Sequence, residues 1–454
     1  MKGSAANMRK RLITAALALA YAGGALGAVS SDEARQLGTT LTEIGAEKSG
    51  NADGSIPPYT GGLTTMPAGF KQGSGVRPDP FAHEKPLYAI TARNMDRYTD
   101  KLTEGNKALL LKYPTYRIDL YPTHRTVAYP RYVLDNTLKN AVTAQSADGG
   151  NVLRNAGGGI PFPIPKDGYE AMWNHLTCYR GEAYTYIATS WNIDASGRKI
   201  LSAQAEILFD LPYYFRKDPS SEILQKKAVY TRAPDRYNGG AVIVIDAVNP
   251  AEKARIVYQY LPGQRRVRLI PDVGFDMPEM TTSGASTYDD VQIFNGSMER
   301  FHFKLIGKKE MIVPYNNYRL LYQAAPDDLV LQKHLNPDHV RWELHRVWVV
   351  EATLKPGKRH IYSKRIFYLD EDSWAALASD KYDASGQLFR TAFVAMAYSY
   401  DAEAVFLDSY CNYSLISGGY NIVNSLVGGG WLRYVAPRPP KEWSPDALAG
   451  SGVR

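Results

Sequence analysis

The sequence predicts a mainly β chain with a few helices, an α+β fold built on one long antiparallel meander. Three observations lead there. Beyond Gly181 apolar and polar residues alternate with period two, in runs rich in Tyr, Val, Ile and Thr, the residues that suit a pleated, half-buried surface. Turn signals punctuate these runs at 194–197, 238–240, 262–263, 296, 356–357 and 383–386. Helical spacing, by contrast, is concentrated before Gly181.

Residues 1–28 read as a cleavable export signal. Lys2, Arg9, Lys10 and Arg11 form a basic start, residues 12–28 carry no charge, and Gly27 and Ala28 are small enough for cleavage. No Cys follows the cleavage region to carry a lipid, and no later stretch is long and apolar enough to span a bilayer. The expectation is a soluble periplasmic protein. Cys178 and Cys411, the only two cysteines, either bridge or sit buried as small hydrophobes, and spacing does not decide between them.

Residues 29–85 are rich in Gly, Pro, Ser and Thr, too poor in periodic apolar positions to form a core, and read as an irregular wrap. Within 91–113 the residues Met95, Tyr98, Leu102, Leu109 and Leu110 predict two short helices broken at Gly105. A clearer helix follows in FPIPKDGYEAMWNHLTCYRG (162–181). Its prolines forbid helix up to Pro165, Asp167 and Glu170 predict a capping box, Tyr169, Met172, Trp173 and Leu176 form an apolar face, and Gly181 stops it. Strands are then expected at 183–191, 200–209, 241–247, 254–261, 264–270, 299–306, 341–354, 359–369, 373–382 and 387–399. One β domain thus spans 86–435, and the Pro-rich 436–454 reads as a flexible tail.

The formal charge of +7 is spread along the chain. Arg265, Arg266 and Arg268 form its densest run and read as a solvated strand face, which sets nucleic-acid binding aside. Nucleophile elbows, phosphate loops and dinucleotide fingerprints are absent, so neither a catalytic residue nor a cofactor is expected. His334, His339 and His345 lack the companions of a metal motif, and Asn51, Asp53 and Ser55 read as a turn more readily than as a calcium loop.

The most informative strand is RWELHRVWVVEATLKPG (341–357). One face carries Trp342, Leu344, Arg346, Trp348 and Val350, and it is the candidate ligand-binding inner face of the sheet. Arg346, set among tryptophans, requires a carboxylate or backbone partner or awaits an anionic ligand group. The other face carries Arg341, Glu343, His345 and Glu351, read as cross-strand charge pairing, although Glu343 beside His345 also has the form of an acid-base pair.

These motifs, with GKKEMIVPYNNYRL (307–320), RIFYLDEDSW (365–374), KYDASGQLFR (381–390) and GAEKSGNADGSIPPYTGG (45–62), resemble the Gram-negative family grouped as domain of unknown function 1329. The resemblance implies a fold similar to the lipoprotein carriers LolA and LolB, an open half-barrel of curved antiparallel sheet with helices plugging its hollow. It implies a non-catalytic carrier or chaperone for a lipid, a lipoprotein acyl chain or another hydrophobic compound. It also implies as partners an outer-membrane barrel protein and a resistance-nodulation-division type transporter, on which an accessory subunit would dock. A hydrolase of a hydrophobic substrate is the remaining alternative.

Overall fold

In a computed structural model, residues 29–271, 274–279, 282 and 285–451 are described. The export signal expected at 1–28 lies outside them. The strands, in chain order, are β1 (Tyr88–Ile90), β2 (Ile118–Leu120), β3 (Gln145–Ala147), β4 (Val152–Arg154), β5 (Ala183–Ile193), β6 (Lys199–Asp210), β7 (Ile223–Ala233), β8 (Ala241–Ala247), β9 (Ile256–Leu261) and β10 (Arg266–Leu269). They continue as β11 (Phe301–Pro314), β12 (Trp342–Leu354), β13 (Lys364–Asp370), β14 (Ala376–Tyr382), β15 (Leu388–Val394), β16 (Ala397–Ser399), β17 (Ala404–Phe406), β18 (Tyr410–Ser414), β19 (Tyr420–Ser425) and β20 (Trp431–Tyr434). The α-helices are α1 (Ser31–Ala34), α2 (Glu104–Lys112), α3 (Arg131–Thr143), α4 (Gly168–Leu176) and α5 (Pro445–Ser451).

Sixteen of these strands form one curved sheet, in the order β1-β2-β12-β13-β14-β15-β18-β19-β5-β6-β7-β8-β9-β10, with β11 beside β12 and β20 beside β5. The sheet does not close on itself, as expected of a half-barrel. Its ladders are antiparallel except where β2 meets β12 in parallel at Leu120 and Trp342, which makes the sheet mixed. The exposed lysine Lys304 on β11 and the exposed arginines Arg266 and Arg268 on β10 charge its outlying strands, a common guard against edge-to-edge pairing.

The helical stretch differs from its expectation in position. A short 3-10 turn (Met95–Tyr98) and α2 are present, but Gly105 lies inside α2, and the break falls before Thr103, whose side chain caps the helix. Gly105 is there for proximity. A Cβ on it would stand 2.0 Å from Thr391 Oγ1, and its N–H donates to Asp380 Oδ1 at 3.0 Å. In α4 the Asp167 side chain accepts from the Glu170 N–H as predicted, while the Glu170 carboxylate reaches one residue further back, to the Lys166 N–H at 2.6 Å. Burial raises that carboxyl to about 7. The predicted single apolar face is also too narrow, because every residue from Glu170 to Leu176 is buried. This helix packs against β11 and β12, and α2 against β14 and β15.

Several parts of the fold fall outside the expected pattern, the short strands β1 to β4 among them. The helix α3 buries Val133, Thr137, Asn140 and Ala141, a face half polar and so invisible to apolar periodicity. Strand β7 was not expected at all, and the run expected at 387–399 breaks after β15 and resumes as β16, followed by β17 to β20. The end of the chain is no free tail as far as it is described: Trp443 and Leu448 are buried against Ala228, Ala241, Ile243 and Tyr260 on the outer face of β7 to β9. Asp210 fixes the docking, accepting from Trp443 Nε1 and the Arg438 N–H, each at 2.9 Å.

The stretch from residue 29 to 85 contributes residues to the main core. Ile44 and Ile56 enter the main core, Ile44 accepts from Trp374 Nε1 at 2.9 Å through its carbonyl, and Arg77 is buried against Asp401. Asn51, Asp53 and Ser55 bond to one another as a turn. Cys178 and Cys411 are both buried and free, not bridged.

Candidate ligand-binding site

Of the five predicted residues of β12, Trp342, Leu344, Arg346 and Val350 are buried and Trp348 is half-buried. Trp342 packs edge-on to Phe393 at 5.3 Å, Leu344 and Val350 are buried, and Trp348 stacks on Trp374 at 6.0 Å beneath the Lys308 ammonium. Arg346 has its partners within the protein. It donates to the Ser49 carbonyl at 2.9 Å and to Glu371 at 3.3 Å, so the wrap and the turn after β13 neutralise it. None of the five lines a cavity described below.

On the opposite face of β12 the register sets Glu351 across from Lys304 on β11, while Glu343 and His345 at its start are buried and pair with each other. Glu343 and His345 are 0% and 1% exposed. Glu343 accepts from His345 Nε2, Asn316, Arg341 and the His124 N–H. Burial pushes its carboxyl up, but the bonds from His345 and Arg341 outweigh this and hold it at about 2. The pair is thus enclosed by its own hydrogen-bond partners.

Beside it, ligand atoms of His345, Asp370 and Asp372 come within 4.8 Å of one another, the spacing of a metal site. The donor set does not fit a cation, because Arg125 grips both oxygens of Asp372 at 2.8 and 2.6 Å and already supplies the positive charge. Burial, and then the neighbouring Asp372, raise Asp370 to about 7. His334 and His339 stand apart, bonded to Thr115 and Asp328.

An open hollow exists in the other half of the sheet, where sequence reasoning placed nothing. There a cavity of about 350 Å³ lies against one face of β7 and β8 and is walled opposite by Glu279, Tyr288, Val291 and Gln292. Alternation on β7 supplies Gln225, Lys227, Val229 and Thr231, and β8 supplies Val242, Val244 and Asp246. The register pairs Gln225 with Asp246, Lys227 with Val244, and Val229 with Val242. The cavity is therefore polar at one end, valine-lined in the middle, and rimmed by Thr231, Arg236 and Tyr237 at the other.

Its polar end is ordered by a chain of bonds. Arg180 donates to Gln225 Oε1 and Gln225 Nε2 to Asp246 Oδ2, each at 2.8 Å, and Arg255 pairs with Asp246. Behind them Asp408 accepts from Tyr184 OH at 2.7 Å and from Gln292 Nε2 at 2.6 Å. A larger trough of about 1040 Å³ between α3 and residues 215–222 and 247–253 is a surface feature whose rim charges pair among themselves, Arg154 with Glu252 and Lys253 with Glu222.

The signal for the cavity was present but masked. In ILQKKAVYTRA the inner set Gln225, Lys227, Val229, Thr231 and the outer set Lys226, Ala228, Tyr230, Arg232 each mix charge with apolar groups, so neither face looks like a core.

Residues 89–449 match the sequence profile described as "Protein of unknown function (DUF1329)". The chain belongs to the DUF1329 family. A relative, the uncharacterized protein PA3922 of Pseudomonas aeruginosa, is 41% identical over 437 residues, covering 94% of this chain and 95% of its own. Among solved structures, a DUF1329 protein from Desulfovibrio piger superposes with a TM-score of 0.41 at 15% identity, over 59% of this chain and 92% of that one. An outer membrane lipoprotein-sorting protein domain from Vibrio parahaemolyticus gives 0.39 at 16% identity, over 58% and 91%. The LolA superfamily protein NE2245 from Nitrosomonas europaea gives 0.36 at 11% identity, over 62% and 100%. The DUF1329 chain has this hollow between β7, β8 and the segment that follows β10, while its wrap and its helices α2 and α4 pack against other strands.

Proposed function

We propose that this DUF1329 protein is a non-catalytic carrier of the cell envelope that shelters a lipid or another hydrophobic compound in the open half of its sheet. The single observation that carries the reading is the cavity of about 350 Å³, a size at the lower end of small-ligand sites, with valines from two neighbouring strands along its length. Its size favours one acyl chain over the several of a lipoprotein anchor. The export signal read in residues 1–28 supports a periplasmic location, and among the described residues no helix is long and apolar enough to cross a membrane. Enclosure of Glu343 and His345 supports binding over hydrolysis.

The test is direct. Protein purified from an osmotic-shock fraction is extracted with organic solvent and the extract is analysed by mass spectrometry, alongside titration of the stripped protein with a fluorescent acyl probe. A co-purifying amphiphile and saturable probe binding lost in Val229→Trp are expected. A clean extract together with no saturable binding refutes the carrier.

A further inference from the structure

Lys227 lines the cavity at the junction of its polar end and its valine-lined middle. Its neighbours leave it aside. Asp246 is taken by Gln225 and Arg255, Asp408 by Tyr184 and Gln292, and Glu279 accepts from Ser286 at 2.9 Å and from Tyr410 at 3.4 Å. Among the described residues the Lys227 ammonium makes no hydrogen bond or ion pair, and it stands over the Phe209 ring at 5.5 Å. Burial lowers its pKa, with Asp408 and Glu279 opposing. Half-buried on the wall of the hollow and without a hydrogen-bond partner, the ammonium is placed to take an acceptor from a ligand.

The charges of the lining point the same way. Its lining presents Lys227 and Arg255 against Asp246 and Glu279, with Arg236 adding a positive charge at the far rim, so Lys227 stands among carboxylates that other donors occupy. Every carboxylate at that end already accepts from its own donors. The group that completes the site at Lys227 is therefore an acceptor, and a charged one makes the stronger bond with an ammonium.

We infer that the cavity selects a single-chain amphiphile with an anionic head, a carboxylate or a phosphate monoester, whose head pairs with Lys227 and whose chain runs past Val229, Val242 and Val244 toward the rim at Thr231. This assignment rests on the carrier reading above and narrows it to a class of ligand. A free fatty acid and a phosphate-headed lipid share the recognised chemistry, and the head that binds tighter identifies the source.

The experiment uses the full mature chain and four fluorophore-tagged probes of one acyl chain, ending in carboxylate, phosphate, alcohol or amine. An anionic head is expected to bind at least about tenfold tighter than the alcohol. Lys227→Met brings the anion-to-alcohol ratio to about one, and Lys227→Arg restores the preference. A second readout separates a binding lysine from a structural one: without ligand, Lys227→Met melts at or above the wild-type temperature, since it removes an unpaired charge. Equal binding of all four heads, preference for the amine, or a lower melting temperature in Lys227→Met overturns the head-group assignment and leaves the carrier standing. Failure of every probe to bind sinks both.

Discussion

Arg365 shows how a side chain becomes fixed by its own burial. It is fully enclosed, donates to Asp289 Oδ2 and to Asp290 Oδ1 at 2.8 Å each, and reaches the Ile293 carbonyl at 3.1 Å, while Lys381 closes on Asp290 at 2.9 Å. Two cations face two carboxylates, and burial, which pushes Asp290 up, is outweighed by Lys381 and Arg365, leaving its carboxyl below the usual range. Removing one partner strands a buried charge. Arg365→Met is expected to lose about 3–5 kcal/mol in urea unfolding, and a loss under about 1 kcal/mol would show that the cluster is dispensable. Asp380 makes the opposite case. Burial raises it to about 6 although Gly105, Thr391 and Tyr368 all donate to it, and burial likewise raises Asp370 and Glu170 to about 7. For these groups the folded state holds protons that the unfolded chain has released, so stability falls as pH rises from about 4 through about 7. Glu343, held at about 2, adds stability above the unfolded carboxyl range that is lost as pH falls toward 2. Thermal melts should therefore be highest near pH 4–5 and lower at pH 8. Asp380→Asn keeps the acceptor toward Gly105 and Thr391, places its amide against Tyr368, and should shrink the drop between pH 5 and pH 8; an unchanged drop would remove Asp380 as a source.

At the scale of elements, α5 and the turn before it act as a buttress. Strands β7 and β8 have a cavity on one face, and on the other Trp443 and Leu448 pack against Ala228, Ala241 and Ile243. Trp443→Ala deletes that packing and the bond to Asp210 together, with an expected loss of about 3–5 kcal/mol in chemical unfolding. Weakened probe binding should accompany it, and a variant as stable as the parent would show that the docked end does not support the wall. The elements differed in legibility for physical reasons. Strand β12 was readable because its alternation is clean over 13 residues, yet alternation gives faces and not what covers them, and the wrap covers this one. By contrast α5 contributes two apolar anchors in a Pro-rich setting, and α3 buries Thr137 and Asn140, whose hydrogen bonds to Val133 and to the carbonyls of Gly157 and Ile160 no hydrophobic pattern reports. The candidate site fared worst, since a cavity that takes a polar head must place polar residues where a core pattern wants apolar ones.

The whole molecule divides one sheet into two regimes. One half is packed shut by residues 29–85 together with α2 and α4, and the other stays hollow. Deleting residues 29–60 empties the places of Ile44 and Ile56, strips Arg346 of the Ser49 carbonyl, and leaves Trp374 Nε1 unbonded. Limited proteolysis of that deletion should cut within the sheet, whereas the intact chain should lose only its ends. An equally resistant deletion would mean the wrap is ornamental. The broad architecture, an open antiparallel half-barrel with helices against it, was legible because long-range pairing follows from period-two runs and turns. The division of labour between its halves was not, because it depends on which segment reaches which surface. The two cysteines carry a last consequence. Both thiols are buried, with Cys178 pushed up to about 11 by that burial and Cys411 raised further in the same direction, so the native protein presents no thiolate to an oxidant. Only an unfolded chain can be oxidised. In an oxidising medium folding thus races against a disulfide that has no place in the finished molecule, and any such bond recovered from a preparation marks chains that lost the race.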